Sequence, residues 1–158
     1  MRTLAIVRVA LSVLLAGAVF ASCGFGADQP TGRVGETLTA GDYQLTVSTV
    51  ENPADRPDRF TNPKPGNRFV KVHVVVANAG SQHLPFAANY FSLRDSGGID
   101  NPAMPNVPSD NPPRPSSIAP GQQTEHDLYF EMAANLSPTQ LVFAPSVVGW
   151  RTRITVNL

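Results

Sequence analysis

Valine occupies every second position from Val70 to Val76, and this alternation constrains the fold more than any other feature of the chain. Successive side chains of a β-strand point to opposite faces, and β-branched residues pack well on a pleated surface. The valine row therefore predicts a strand over residues 68–77 whose valine face lies in a hydrophobic core. The residues predicted for its other face are Phe69, Lys71, His73 and Val75.

Other segments also alternate with a period of two, and turn-forming residues separate them. They predict further strands over residues 34–39, 43–48, 90–94, 124–132, 141–143 and 150–158. The side chains expected to point inward from the later strands are His126, Leu128, Phe130, Trp150, Ile154, Val156 and Leu158. Fifteen prolines and twelve glycines disfavour a helical protein. About seven short strands predict an all-β fold, an immunoglobulin-like antiparallel β-sandwich.

Residues 99–120 contain seven prolines and few large apolar side chains. Proline lacks the backbone N–H that a strand donates to its neighbour, so this proline-rich segment does not suit a sheet. We expect a solvent-exposed loop of polyproline character. The alternative is a recognition loop that a partner orders on binding.

The first residues look like a secretory leader, because the basic residues Arg2 and Arg8 precede an uncharged run over residues 9–20. That run is short for a membrane-spanning helix, which needs about 20 apolar residues. Cys23 follows two small residues, and this arrangement looks like the lipobox of a bacterial lipoprotein. Cleavage before a diacylated Cys23 is the predicted route. Cleavage after Ala21 by ordinary signal peptidase is the alternative.

The chain is therefore predicted to have three parts: a signal peptide over residues 1–22, a lipidated flexible tether over 23–33 and a β-sandwich domain over 34–158. Two acyl chains on Cys23 would hold the protein stably at a membrane, because a single chain binds only marginally. We expect attachment to the cell membrane on its extracytoplasmic face. Cys23 is the only cysteine, so no intramolecular disulfide can form and packing must stabilise the domain.

The charge balance is nearly neutral, with twelve basic and twelve acidic residues. The predicted leader carries two of the basic residues, so the mature chain has a small acidic excess. A nucleic-acid-binding protein would need a clustered basic excess. The composition therefore excludes nucleic acid as an expected partner.

Four short motifs occur in order along the chain: GNRFVKVHVVVAN over residues 66–78, FSLRDSGG over 91–98, Pro120-Gly121 and Phe130-Glu131. In this order they resemble the pattern of the telokin-like, immunoglobulin-like domains of unknown function that occur in bacterial lipoproteins and secreted antigens. The resemblance extends over roughly residues 34–157 and implies a β-sandwich. It brings no catalytic residues with it, because the motifs are structural.

Catalytic and metal-binding chemistry find little support in the sequence. The histidines His73, His83 and His126 do not lie in any catalytic motif that we recognise. Together with Met104 and Met132 they lack the close spacing of a copper site. We therefore expect a non-enzymatic protein without a metal site or a cofactor.

A binding or scaffolding module of the cell envelope is the function that the sequence favours. If the strands followed immunoglobulin order, strand 68–77 would pair with the last two strands, and the outer face of that sheet would carry Lys71, His73, Arg151 and Arg153. We expect such a basic face to meet an envelope protein or an anionic cell-wall or lipid component. The alternative function is an extracytoplasmic carrier of a small molecule or metal ion on the same fold.

Overall fold

A computed structural model describes residues 29–145 and 152–158 of the chain. These residues form eleven β-strands and one 3₁₀ turn at Ala88–Tyr90. The strands are β1 Thr31–Arg33, β2 Thr37–Ala40, β3 Tyr43–Ala54, β4 Asn67–Asn78, β5 Leu84–Phe86, β6 Phe91–Asp95, β7 Asp100–Pro102, β8 Ser116–Ile118, β9 Gln123–Ala133, β10 Pro138–Phe143 and β11 Ile154–Asn157. None of the helical structure in these two ranges is long and apolar enough to cross a membrane.

Two main sheets pack face to face. One has five strands in the order β1-β11-β10-β6-β7, the other has four in the order β2-β3-β4-β9, and β5 and β8 form a small third sheet. Neighbouring strands are antiparallel except for β1 and β11, which run parallel. The predicted all-β sandwich is confirmed.

The valine row of β4 lies in the centre of the core. Val70, Val72, Val74 and Val76 are completely buried, as the alternation predicts. Residues of the opposite sheet complete this core, including Leu93. Because apolar area removed from water contributes about 25 cal/mol per Å² to stability, this row is a major source of the folding energy.

Tyr43 is the largest polar side chain in this core. Its hydroxyl donates a hydrogen bond to the Pro85 carbonyl at 2.7 Å, so the buried phenol is satisfied. Its ring packs edge-on against Phe143, with centroids 5.2 Å apart. Burial disfavours the charged phenolate and, with a smaller contribution from Tyr90, raises the pKa of Tyr43 to about 12.

Most of the predicted strands are confirmed, and several are longer than the alternation indicated. Strands β3, β4, β9 and β10 contain the predicted segments, and β6 contains its segment except for Tyr90, which belongs to the 3₁₀ turn. His126, Leu128 and Phe130 are buried as expected. Ile154 and Val156 of β11 are also buried, whereas Trp150 lies outside the described residues.

The strand prediction differs from the structure at the start of the domain and at one later strand. The single strand predicted over 34–39 is replaced by β1 and β2, which a turn separates. Gly35 lies in that turn with a φ of 88°, a conformation that glycine adopts without strain. Strand β1 lies within the segment predicted as tether, so the sandwich already begins at Thr31. Strand β5 was not predicted.

The predicted pairing of β4 with the last two strands is wrong. Strand β4 pairs with β3 on one side and β9 on the other, while β10 and β11 belong to the opposite sheet. The three paired strands contain 11 or 12 residues each, so they match in length along the ladder. Pairing strands of equal length satisfies the most backbone N–H and C=O groups, which explains the choice.

Candidate interaction surface

Strand β9 is one edge of the four-stranded sheet, and the proline-rich segment, residues 99–120, lies along this edge. The Met104 N–H donates to the Tyr129 carbonyl at 2.8 Å, and the Asp127 N–H donates to the Asn111 carbonyl at 3.1 Å. The Asn111 side-chain amide also donates to the Glu125 carbonyl at 2.7 Å. An edge strand exposes unsatisfied backbone groups, and here the proline-rich segment satisfies part of them.

This arrangement corrects the expectation of a fully solvent-exposed loop. The segment contributes the short strands β7 and β8 near its two ends, and Ala103 forms a bridge with Phe130 of β9. The expectation failed because a proline lacks only its N–H and retains a carbonyl that can accept hydrogen bonds.

A second, smaller apolar cluster joins the segment to the outer face of the four-stranded sheet. Val107 packs against Phe69 and Tyr129, and all three side chains are buried. The rings of Phe69 and Tyr129 meet edge-on, with centroids 6.5 Å apart. Phe69 faces away from the main core, as predicted, and it is still buried because Val107 covers it.

His126 links the segment to the interior of the sandwich. Its ring stacks on Phe86, with centroids 4.3 Å apart. Its Nδ1 lies 3.1 Å from the Pro112 carbonyl and its Nε2 lies 2.8 Å from the Thr124 hydroxyl. A carbonyl only accepts, so Nδ1 carries the proton and Nε2 accepts from the hydroxyl. Burial disfavours the imidazolium and lowers the pKa of His126, which keeps the ring neutral.

The folded segment forms an open cleft of about 510 Å³. The walls consist of four prolines, at positions 105, 108, 112 and 115, together with Asn106, Val107 and Arg114. A second cleft of about 380 Å³ shares Pro105, Asn106 and Pro115 and extends to the 3₁₀ turn. The two clefts therefore adjoin each other across shared walls.

The predicted basic face does not form. Lys71 is paired with Glu51 at 2.5 Å, and His73 Nδ1 lies 2.8 Å from Asp127. The hydrogen bond to Glu51 raises the pKa of Lys71. Strand β3 places Glu51 beside Lys71, and strand β9 places Asp127 beside His73, so the outer face of this sheet carries acidic groups as well as basic ones.

Of the remaining members of the predicted face, the structure describes only Arg153. Arg153 directly precedes β11 of the five-stranded sheet, and Arg151 lies outside the described residues, as does Cys23. Arg153 therefore does not share a sheet with Lys71 and His73. Within residues 29–145 and 152–158, no group of three or more potential ligand side chains could hold a metal ion.

The polar residues of the sequence motifs stabilise turns. Asn78, which ends the β4 motif, is buried, and its side-chain amide donates to the carbonyls of Gln82 and Ile118 at 2.7 and 2.9 Å. Its side-chain oxygen accepts from the Gly80 N–H, and its backbone carbonyl accepts from the Gly121 N–H. One asparagine thus connects the end of β4 to β8 and to the Pro-Gly turn.

Asp95 performs the same role in the second motif. One carboxylate oxygen accepts from the N–H groups of Gly97 and Ile99 at 2.9 and 3.0 Å, and the other accepts from the Asn101 amide. The bond from Ile99 is the largest of the effects that lower the pKa of Asp95. Gly98 completes the turn with a φ of 80°.

Residues 32–153 match the family described as "Domain of unknown function (DUF4352)". The chain belongs to this family. The DUF4352 match covers most of the described residues, and the predicted resemblance to a family of unknown function is confirmed. No curated protein matches the chain.

Solved structures of low sequence identity share the fold. The secreted protein MPT63 from Mycobacterium tuberculosis is 18% identical with a TM-score of 0.65, over 84% of this chain and 100% of that one. The yjhA protein from Bacillus subtilis is 17% identical with a TM-score of 0.62, over 80% and 98%. A candidate lipoprotein from Bacillus subtilis, ycdA, is 18% identical with a TM-score of 0.61, over 77% of this chain and 38% of that one.

The cleft was not anticipated from the sequence. Its lining residues lie in a segment whose prolines predict a solvent-exposed loop. The signal that could have revealed it is the presence of Met104 and Val107 among the prolines, because isolated apolar residues in such a segment need a surface to cover.

Proposed function

We propose that this DUF4352 protein is a non-enzymatic binding module, anchored by lipid to the extracytoplasmic face of the cell membrane. The lipobox-like sequence before Cys23 supports the anchor. The secreted and candidate-lipoprotein proteins that share its fold are consistent with an extracytoplasmic location.

The cleft of the proline-rich segment is the observation that carries the binding role. Its volume of about 510 Å³ lies within the range of roughly 300–1,000 Å³ typical of ligand sites. Hydrogen bonds to β9 and the packing of Val107 hold its walls in place. A partner would therefore meet a surface that is already formed, and binding would cost little conformational entropy.

The arrangement of the histidines supports a role without catalysis. His73 lies between Asp127 and Glu125, at 2.8 and 3.8 Å, so both ring nitrogens face carboxylates. His126 is enclosed by Phe86, Thr124 and Pro112. Neither histidine lines the cleft, whose polar side chains are an amide and a guanidinium. These groups bind ligands well and do not exchange protons near neutral pH.

In-cell photo-crosslinking tests the binding role. A photoreactive p-benzoylphenylalanine at position 108 would replace an exposed cleft proline, and the same residue at position 33 would replace exposed Arg33 of β1 as a control. We expect a discrete adduct from position 108 and none from position 33. The same adducts from both positions, or none from either, would contradict the role of the cleft.

The anchor requires a separate experiment. Intact-mass analysis of membrane-extracted protein should show a mature chain that begins at Cys23 and carries lipid mass. Cys23→Ser should release the protein from the membrane fraction, because the thiol that carries the acyl chains is gone. A chain that begins at Ser22 without lipid would refute the anchor and leave the binding role to be judged by crosslinking.

A carrier of small molecules is the second candidate function, and the volume of the cleft, about 510 Å³, is large enough for a small molecule. A carrier and a protein-binding module would use the same walls. They differ in whether the occupant is a free molecule or part of a polypeptide.

A further inference from the structure

The cleft walls have an unusual chemistry that limits what can bind there. The prolines at 105, 108, 112 and 115 have no N–H, so at these positions the wall offers ring C–H groups and carbonyls but no backbone donor. A phosphate site is normally built from several backbone N–H groups or several cations. The proline walls provide few backbone N–H groups.

Arg114 supplies the positive charge of the cleft. It is exposed, and among the described residues its guanidinium has no salt bridge, in contrast to Arg94, which pairs with Asp100 at 2.8 Å. Of the residues that the structure describes, Arg114 is also the only charged one that lines either cleft. A planar guanidinium matches a carboxylate through two parallel hydrogen bonds. A site with one cation and few backbone N–H donors matches a ligand with a single negative charge better than one with two.

The rest of the surface fits a flat apolar group. Proline rings present a rigid C–H face, and natural recognition of proline-rich segments uses aromatic rings packed against such faces. Here the proline face belongs to the protein, so an aromatic ring is the matching shape for a ligand. Asn106 lines both clefts and can donate to or accept from a polar substituent.

We propose that the cleft formed by residues 105–115 binds an aromatic monocarboxylate, with the ring against the prolines and the carboxylate on Arg114. This inference rests on the proposed binding role and specifies its ligand chemistry. Such a group occurs in a free aryl carboxylate and in the C-terminal aromatic residue of a peptide. The first source corresponds to a carrier and the second to a protein-binding module.

Titration of the full mature protein in lipid nanodiscs, followed by ¹⁵N NMR, tests the proposal. The probes are 2-naphthoate, the neutral 2-naphthylmethanol and 2-naphthyl phosphate, with empty nanodiscs as the reference for partitioning. We expect naphthoate to bind more tightly than either analogue and to shift signals of Asn106 and of residues 87–89. No binding up to about 10 mM, equal binding of the alcohol, tighter binding of the phosphate, or shifts confined to other residues would overturn the proposal.

Matched arginine variants test the role of Arg114. Arg114→Gln should weaken naphthoate binding about 10- to 100-fold, because a charge-assisted hydrogen bond is lost, and should leave alcohol binding unchanged. Arg114→Lys should retain part of the affinity, since it keeps the charge without the planar fork. Arg33→Gln removes an exposed arginine from the edge of the other sheet and should have no effect. Equal losses for Arg114→Gln and Arg33→Gln would overturn the proposal.

Peptides then distinguish the two sources of the ligand. A tetrapeptide ending in tryptophan with a free carboxylate is compared with its amide and with naphthoate. Tighter binding of the peptide acid supports a polypeptide ligand, and tighter binding of naphthoate supports a free molecule. Equal binding of the peptide acid and amide, with no binding of naphthoate, refutes the carboxylate. A crosslinked partner at position 108 in that case would leave the binding role standing and remove only this ligand class.

Discussion

The valine row of β4 and the part of the proline-rich segment around Val107 lie on opposite faces of the four-stranded sheet, and they differ in how many buried side chains hold them. Val74 is one of several completely buried valines that pack against a second sheet. Val107 is also buried, but it belongs to a cluster of only three buried residues on the outer face. The first region is a core that specifies the fold, whereas the second is a cover that rests on fewer buried side chains. We therefore expect substitutions in the cover to destabilise the sandwich less than substitutions in the core.

The largest effect is expected from a core aromatic residue. Phe130→Ala should lower the free energy of unfolding by about 3–5 kcal/mol, because it leaves a cavity between the sheets. Phe60→Ala is the control, since Phe60 is 76% exposed and should change stability by less than about 0.5 kcal/mol. Urea denaturation followed by fluorescence measures both. Equal costs would show that Phe130 does not belong to a tightly packed core.

Asn78 connects the two regions, and its removal should have the next largest effect. Asn78→Ala leaves the carbonyls of Gln82 and Ile118 without their donor and should cost about 2–3 kcal/mol. The exposed Asn62, whose side chain accepts from Arg56, provides the control Asn62→Ala with little expected change. A small effect of Asn78→Ala on the urea midpoint would mean that water replaces the lost bonds.

The same substitution in both regions compares them directly. Val74→Ala should cost about 2–3 kcal/mol, combining lost burial with a cavity that the two sheets cannot close. Val107→Ala should cost about 1 kcal/mol, because the segment can settle onto Phe69. Limited proteolysis provides the second measurement, since Val107→Ala should accelerate cleavage within residues 103–115 and Val74→Ala should not do so selectively. The reverse order of costs would contradict the distinction between core and cover.

A pH dependence should arise where His126 meets Pro112. Its folded pKa is lowered from 6.5, so the unfolded chain binds the proton first as the pH falls. The contribution of the neutral ring is complete above about pH 6.5 and is lost as the pH falls through the lowered folded pKa. The neighbouring Asp127 and His73 oppose each other in their effect on this pKa, and burial dominates both.

Urea midpoints at about pH 7.5 and pH 5 measure this loss, which should be the smallest of the four effects. His126→Gln should flatten the slope over that window, whereas the exposed His83→Gln should retain it. A slope that persists in His126→Gln would assign the pH dependence to other groups. The carboxylates with lowered pKa values, such as Asp95, lose their contribution only at more acidic pH.

The sequence alone was enough to predict the buried rows and the class of the fold. The alternation in β4 and β9 identified the four alternate valines of β4, together with Leu128 and Phe130, as inward-facing. Successive side chains of a strand point to opposite faces, so the position along the strand is enough to predict the face. The Asn78 and Asp95 motifs likewise indicated turns at the correct places. The prediction of a lipid anchor at Cys23 also comes from the sequence, and it concerns residues outside the described ranges.

Only the tertiary structure decided which strands are neighbours and what lies on each outer face. Alternation does not indicate that β9 places Asp127 beside His73, that Val107 covers Phe69, or that Arg114 lines a cleft. These contacts join residues far apart in the chain, and their energy comes from the pairing of backbone groups and the exclusion of water between distant segments. Local sequence patterns indicate which side chains are buried, whereas the pairing of strands depends on how the whole chain satisfies its hydrogen bonds.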